Sequence, residues 1–225
     1  MTVRTMRPVR RLLVVGSIVA LVSSATAFAN HLDPQKKIRP SDQARARAML
    51  LKKADVGPGY TVNRSPSPEV EIDCAGLDES DLTLTGEAES PSFTRGLAFL
   101  SSNAQVYEST GDATASWRRG TGAAGSKCIQ ATLRREFALQ GARLTSFKKV
   151  AFPRVAAATA AYRVVVVAQS QGVEVTVFVD LVVLLQSRAQ AALLFGSGLA
   201  ATPRAEELRL ARLTGKRMTA AMRGS

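Results

Sequence analysis

The chain has 225 residues, of which 46% are hydrophobic and 5% aromatic. That is long and apolar enough for one globular domain with a substantial core, which excludes a small scaffold held together by disulfides alone. The formal net charge of +12 at pH 7 is compatible with binding to nucleic acid, to an anionic envelope polymer or to a membrane surface, and equally with simple solubility.

Residues 1–29 have the pattern of a secretory signal peptide. A basic start with four arginines precedes the apolar run Leu12–Val22, and the small-residue sequence Ala27-Phe28-Ala29 follows it. We expect cleavage after Ala29. The alternative, an uncleaved anchor, is weaker because the second half of the uncharged run is small and polar. Cleavage leaves 26 basic and 18 acidic residues, a net charge of +8, on a secreted protein that is either free or associated with the cell envelope.

The exported part divides into a flexible segment over residues 30–40 and one domain over residues 41–225. A helix opens at Pro40-Ser41-Asp42, with Ser41 or Asp42 as its cap, and Gly57-Pro58-Gly59 ends it. Residues 65–94 carry eight acids and no Lys or Arg. We interpret this segment as a solvated acidic loop with short strands near residues 70–72 and 82–85, because it lacks the ligand spacing of a calcium loop.

The two cysteines, Cys74 and Cys128, predict one disulfide, since an even pair in an exported chain is usually bonded. A loop of about fifty residues closed in this way stabilises the fold by up to about 4 kcal/mol. The only histidine is His31, so the chain lacks the residues of a four-ligand zinc site, and we expect no metal and no cofactor.

The middle of the chain predicts two helices. Ser109 and Asp112 have the spacing of a capping box, and Ala113 and Trp117 follow one turn apart. The second helix, Ala123–Leu139, contains Cys128, so the predicted disulfide ties this helix to the acidic segment.

The last third of the chain predicts an antiparallel meander. A strand at residues 143–150 precedes three longer ones at Ala161–Gln169, Val173–Gln186 and Ala189–Gly198, joined by tight turns. In the middle strand the odd positions are all apolar, whereas the even ones include Glu174, Thr176, Phe178 and Asp180. A helix follows Thr202-Pro203. The predicted fold is therefore α+β: an antiparallel sheet with amphipathic helices on one face, in two layers and one domain.

No residues form a recognisable catalytic set. Nucleophilic catalysis needs a base beside Ser or Cys, and the pair of acids at Glu174 and Asp180 is separated by roughly 20 Å of strand. Two groups are better candidates for ligand binding. One is Trp117 with Arg118, residue types favoured at interfaces, and the other is the mixed face of the middle strand. The alternative for both is structural, with Trp117 packed under its helix and the strand face covered by another element.

Several stretches together resemble a family of secreted actinobacterial sensor-like domains, best known from the extracellular domain of PknH-type receptor kinases. They are LLKKADVGPGYT, the Asp73-Cys74 step, SSNAQVYESTGDATASWRRG, KCIQATLRREF, the hydrophobic meander and the final helix. The resemblance implies an antiparallel sheet with helices on one face, a cleft on the other and an unknown small ligand. This chain differs in having no kinase domain and only one cysteine pair, which leaves a free-standing binding protein.

We therefore interpret the chain as a secreted, non-catalytic binding or sensor-like protein for a small or cell-envelope ligand. The alternative is a basic protein that binds an anionic envelope polymer or membrane surface through helical arginines: Arg134, Arg135, Arg209, Arg212 and Arg217. A hydrolytic enzyme is the third hypothesis, and it requires the fold to bring distant polar residues together. Export argues against nucleic acid as a partner.

Overall fold

The computed structural model describes residues 33–64, 74–170, 173–198 and 200–223. The predicted signal peptide, His31 and the short strand near residues 70–72 lie outside these residues. The described helices are α1 (Pro40–Met49), α2 (Thr110–Thr121), α3 (Ala123–Leu139) and α4 (Arg204–Ala221). The described strands are β1 (Gln35–Lys36), β2 (Thr61–Asn63), β3 (Thr83–Glu89), β4 (Ser92–Arg95), β5 (Ala98–Tyr107), β6 (Ala142–Lys149), β7 (Ala158–Ser170), β8 (Val173–Gln186) and β9 (Ala189–Gly198).

These strands form one sheet in the order β1-β3-β5-β9-β8-β7-β6, with β4 also paired to β5 and β2 to β4. The pairing is antiparallel except between β1 and β3. The predicted bounds of β8 and β9 are confirmed, and β7 begins at Ala158, three residues before the predicted start. Ser187 has a φ of 55° in the two-residue turn that pairs Gln186 with Ala189, as a tight hairpin turn requires.

The predicted α+β meander is confirmed, but helices cover both faces of the sheet. Along β8, Val182 and Leu184 join a core cluster with α1 and α4, whereas Val177 and Val179 join a second cluster with α3. The sequence prediction placed helices on one face because it treated the even positions of β8 as mixed. Those positions become apolar in the second half of the strand, so that face also excludes water by packing against helices.

The beginning of α1 differs from the predicted cap. The helix starts at Pro40, and no side chain caps it through a hydrogen bond. Asp42 is instead buried, and both of its carboxylate oxygens accept hydrogen bonds from Arg188 at the β8–β9 turn, at 2.9 and 2.7 Å. The Arg188 guanidinium compensates the Asp42 carboxylate for the water that it loses on burial. The two hydrogen bonds join α1 to the sheet.

The Cys74–Cys128 disulfide is present and links α3 to the short 3₁₀ turn Ala75–Leu77. Within the part of the chain that the structure describes, no helix is both long and apolar enough to cross a membrane.

Candidate functional site

A cavity of about 210 Å³ lies between the sheet and the helix pair α2–α3. Its floor is the face of the sheet that carries the odd positions of β8 and the even positions of β7 and β9. Because side chains alternate along a strand, each of these strands contributes every second residue. The aliphatic lining residues on this face of the strands are Val164, Val179, Leu181, Val183, Ala192 and Leu194.

Aromatic side chains form much of the remaining wall. Trp117 comes from α2, Phe137 from α3, Phe147 from β6 and Tyr162 from β7. The hydroxyl of Tyr162 donates a hydrogen bond to the carbonyl of Thr121 at 3.1 Å, which fixes the end of α2 against the sheet.

Polar groups converge at one side of the cavity. Asn103 and Gln105 project from β5, Gln190 from β9, and Ser116 from α2. Gln190 donates a hydrogen bond to the carbonyl of Ala113 at 3.0 Å, so its amide is held by the helix backbone. A few oriented polar groups beside a larger apolar wall are typical of small-molecule sites.

The phenol of Tyr107 organises this polar side. The ring is fully buried, and its hydroxyl lies 2.8 Å from the hydroxyl of Ser116, 3.2 Å from Gln105 Oε1 and 3.3 Å from Glu79 Oε2. Burial is the largest cause that raises the pKa of Tyr107 above its ordinary value of 10.0, so the phenol is a neutral hydrogen-bond donor at physiological pH.

Glu79 lies in the loop between Leu77 and β3 and lines the cavity. Burial, as the largest cause, raises the pKa of its carboxyl, while hydrogen bonds from Ser116 and Tyr107 act in the opposite direction. The neighbouring guanidinium, Arg119, is engaged by Asp81 through two hydrogen bonds of 2.5 and 2.8 Å.

The structure places the predicted ligand-binding residues in different environments. Trp117 lines the cavity, and Arg118 is exposed on α2 outside it. The other four predicted residues are Glu174, Thr176, Phe178 and Asp180, which lie on the opposite face of β8 from Val179 and Leu181. The structure therefore does not bring those four to the cavity.

Asp180 has a structural partner on its own face of the sheet. Its carboxylate accepts two hydrogen bonds from Arg163, at 2.7 and 2.9 Å, and it is 2% exposed. Glu207 of α4 packs beside this pair and is fully buried. This cluster lies under α4 and has no opening to the cavity floor, which is the other side of the sheet.

The sequence analysis missed Glu79, Gln105 and Tyr107. The alternation in β5 carried a signal, since Asn103, Gln105 and Tyr107 share one face of a strand at the centre of the sheet. Polar side chains on a strand that is paired on both sides indicate a lined cavity or an internal hydrogen-bond network.

Neither cysteine can act as a thiolate nucleophile, because both are in the disulfide. Within the described ranges, no three or more His, Cys, Asp or Glu side chains are grouped so that they could hold a metal ion.

No protein-family profile matches the chain, and no curated protein sequence matches it. Solved structures that align with the chain include the extracellular domain of PknH from Mycobacterium tuberculosis, with a TM-score of 0.43 and 9% sequence identity, over 81% of this chain and 98% of that one. They also include LpqN, involved in cell envelope biogenesis of Mycobacterium tuberculosis, with a TM-score of 0.26 and 14% identity, over 71% of this chain and 96% of that one. The first of these structures is an extracellular domain of the PknH type that the sequence resembles.

Proposed function

We propose that the chain is an exported, non-catalytic binding protein that holds one small, largely apolar ligand in the cavity between the sheet and α2–α3. The observation that supports this proposal is the cavity itself, in which an aromatic and aliphatic wall meets the polar group around Tyr107. An apolar cavity of about 150 Å³ accommodates benzene. A volume of about 210 Å³ therefore suits a single ring with a short polar substituent.

Export rests on residues 1–29 and on the disulfide, which is typical of oxidising compartments. A binding role for an exported domain requires only that the ligand reach the cavity, and it needs no nucleophile or metal.

Trp117 provides the test, because it is the only tryptophan of the chain and it lines the cavity. We expect its fluorescence to change saturably when the protein is titrated with 2-phenylethanol, a single ring with a two-carbon alcohol. The substitution Ala192→Leu adds volume to the floor, so it should abolish the change. Ala131→Leu is the matched control, because Ala131 lies on the exposed side of α3.

Native mass spectrometry of the protein from its own culture medium supplies a second measurement. A retained mass that is lost from Ala192→Leu and kept by Ala131→Leu supports the proposal. If the wild type neither responds to any single-ring probe of this size nor retains a mass, or if both variants behave like the wild type, the cavity is not a binding site and the proposal fails.

A second candidate function is favoured by the surface of α3 and β6. The exposed basic side chains on these two packed elements are Lys127, Arg134, Arg135, Arg143, Lys148 and Lys149. Glu136 pairs with Arg135, and Glu174 approaches Arg143 to only 4.0 Å. Such a surface suits an anionic envelope polymer or membrane. Of the arginines predicted for this role, Arg217 is instead bound to Asp55 of the fold by two hydrogen bonds.

Retention on washed cells measures this second function. We expect retention to fall steeply as salt rises, and to fall further for Arg134→Gln/Arg135→Gln than for the control Lys216→Gln at an exposed position of α4. Co-sedimentation with phosphatidylglycerol vesicles, or competition by dextran sulfate, then separates a membrane from a polymer partner. Retention that is equal at low and high salt contradicts the candidate.

A further inference from the structure

The charge of the cavity lining is opposite to that of the protein. The exported chain has a net charge of +8, yet the charged residues that line the cavity are Asp33 and Glu79, and none of the described lining residues is Lys or Arg. In a protein rich in arginine, an anion-binding site has basic residues in its wall, since guanidinium and ammonium groups pair with carboxylates and phosphates.

Glu79 receives its hydrogen bonds from neutral donors. They come from the hydroxyls of Tyr107 and Ser116, and Arg119 is engaged by Asp81 instead. Glu79 is half-buried, and a carboxylate that loses part of its water is costly unless an opposite charge or several donors compensate for that loss. A cationic group in the cavity would supply that compensation.

The aromatic wall suits the same kind of ligand. Trp117, Phe137, Phe147 and Tyr162 line the cavity together with Glu79. The face of an aromatic ring attracts a cation, most strongly for Trp, and the attraction increases when the cation is away from water. The rings also provide apolar contact for the body of the ligand.

We infer that the ligand is a small hydrophobic amine, bound as its protonated cation, with its ammonium group beside Glu79 and its apolar body against the aromatic wall. This inference rests on the proposed function and specifies its ligand class. An anionic ligand would be repelled by Glu79 and Asp33, and a neutral one would leave the Glu79 carboxylate with hydrogen bonds from uncharged donors only, since Arg119 is hydrogen-bonded to Asp81.

The test compares three probes that share a phenyl ring and a two-carbon side chain but differ in the polar group: phenethylamine, 2-phenylethanol and phenylacetate. Each is titrated against the oxidised wild-type protein, with Trp117 fluorescence and calorimetry as readouts. We expect the amine to bind at least about tenfold more tightly than the alcohol, and phenylacetate to bind weakest.

Two variants assign the preference to the carboxylates. In Glu79→Gln the amine should bind no more tightly than the alcohol measured on the same variant, and Asp33→Asn should reduce the preference by a smaller factor. Glu174→Gln removes an exposed carboxylate outside the cavity and should leave the preference unchanged. If Glu79→Gln does not fold, Asp33→Asn still tests the direction of the effect.

The pH dependence adds an independent check. Lowering the pH protonates Glu79, whose pKa burial raises, so the affinity for phenethylamine should fall while that for 2-phenylethanol stays constant. The charged and titratable groups that act on Glu79 are Asp33, Tyr107 and Arg119. Tyr107 and Arg119 titrate far above this range.

The possible failures are distinguishable. If 2-phenylethanol binds as tightly as phenethylamine, or if Glu79→Gln and Asp33→Asn both keep the full preference, the amine inference is overturned while the proposed binding function stands. If none of the three probes binds the wild type and native mass spectrometry finds no retained mass, the inference and the proposed function fail together.

Discussion

At the scale of single residues, the described structure buries three carboxylates, each paired with arginine but with a different number of hydrogen bonds. Asp42 is paired with Arg188 and Arg45, and the hydrogen bonds from Arg188 are the largest cause that holds its pKa well below the usual range. Asp180 is paired with Arg163. Glu207 receives one short hydrogen bond, from Arg204 to Oε2 at 2.8 Å, while its Oε1 accepts none.

The Glu207 carboxyl should make the free energy of unfolding depend on pH. Burial first, and then the neighbouring Asp180 carboxylate, raise its pKa from 4.5 to about 7, while Arg204 and Arg163 act in the opposite direction. The folded state therefore holds this proton more tightly than the unfolded chain. The resulting stability is fully present below about pH 4.5 and is lost as the pH rises to about 7, by up to about 3 kcal/mol.

We expect Glu207→Gln to abolish that loss, because the amide has the shape of the protonated acid and does not ionise. Urea unfolding of wild type and variant across this pH window measures the effect, with Glu174→Gln as an exposed control that keeps the wild-type profile. Parallel profiles for wild type and Glu207→Gln would show that the carboxyl does not titrate in this window. Asp42 contributes stability with the opposite pH dependence, because its pKa is lower in the folded state than its ordinary value of 3.8. That stability is present above pH 3.8 and is lost as the pH falls below it.

At the scale of elements, the cavity depends on how α2 and α3 are anchored. Ser109 caps α2 as predicted, since its hydroxyl accepts a hydrogen bond from the backbone N–H of Asp112 at 3.0 Å. The Asp112 carboxylate accepts hydrogen bonds from the Ser109 hydroxyl at 2.7 Å and from the backbone N–H of Thr83 at 3.2 Å, whereas in a capping box it would accept from the backbone N–H of Ser109. The cap therefore also fastens α2 to β3.

The disulfide anchors α3 to the segment that carries Leu77, a cavity-lining residue. It joins residues 54 apart, and closing a loop of that length stabilises by up to about 4 kcal/mol. We expect Cys74→Ser/Cys128→Ser to lower the free energy of unfolding by that order, and to weaken binding of the cavity probe. Urea midpoints of the variant and of the oxidised wild type measure the first effect. Equal midpoints would show that the bridge contributes no stability.

Gly125 permits the close contact between the start of α3 and the end of α2. A Cβ at this position would lie 2.0 Å from the carbonyl oxygen of Arg119 and 2.9 Å from Leu77 Cδ2. Gly125→Ala should therefore displace α3 and cost about 1–3 kcal/mol. Gly120→Ala is the matched control, because nothing lies within 4 Å of its Cβ position in α2.

In Gly120→Ala the higher helix propensity of alanine should stabilise the protein by up to about 1 kcal/mol. Thermal unfolding of the two variants side by side measures the contrast. If Gly125→Ala is as stable as the wild type, the α2–α3 contact is not as tight as the structure indicates.

At the scale of the whole molecule, the charge is divided between surface and interior. Basic side chains cover the outside of α3 and β6, while the cavity beneath α3 has an acidic and aromatic lining. The two candidate partners therefore occupy different places: a small ligand inside the fold and an anionic surface outside it. Binding to one does not exclude the other, and Arg134→Gln/Arg135→Gln should affect only the second.

The mass of the secreted protein tests export, signal-peptide cleavage and the disulfide together. We expect intact mass spectrometry of the protein from culture medium to give the mass of Asn30–Ser225 less two hydrogens, because the sequence predicts cleavage after Ala29 and Cys74 is bonded to Cys128. Reduction should restore the two hydrogens. A full-length mass recovered from the membrane fraction would instead support the uncleaved anchor.

The features that the sequence predicted correctly are those set by short-range patterns. The alternation of apolar residues predicted the observed bounds of β8 and β9. The helical spacing of apolar residues predicted α3 at Ala123–Leu139, and the capping pattern at Ser109 predicted the start of α2. Each depends on neighbours within a turn or a strand, where backbone geometry couples side-chain position to sequence spacing.

Tertiary packing decided which face of the sheet forms the cavity and which residues meet there. Both faces of β8 carry apolar residues, so periodicity alone assigns neither face to a cavity, and the prediction chose the face with Asp180. Glu79 reaches Tyr107 across 28 positions of sequence, and Asp180 approaches Glu207 only because α4 covers that face. Such contacts depend on how helices fill the two sides of the sheet, which is a property of the packed core rather than of any local pattern.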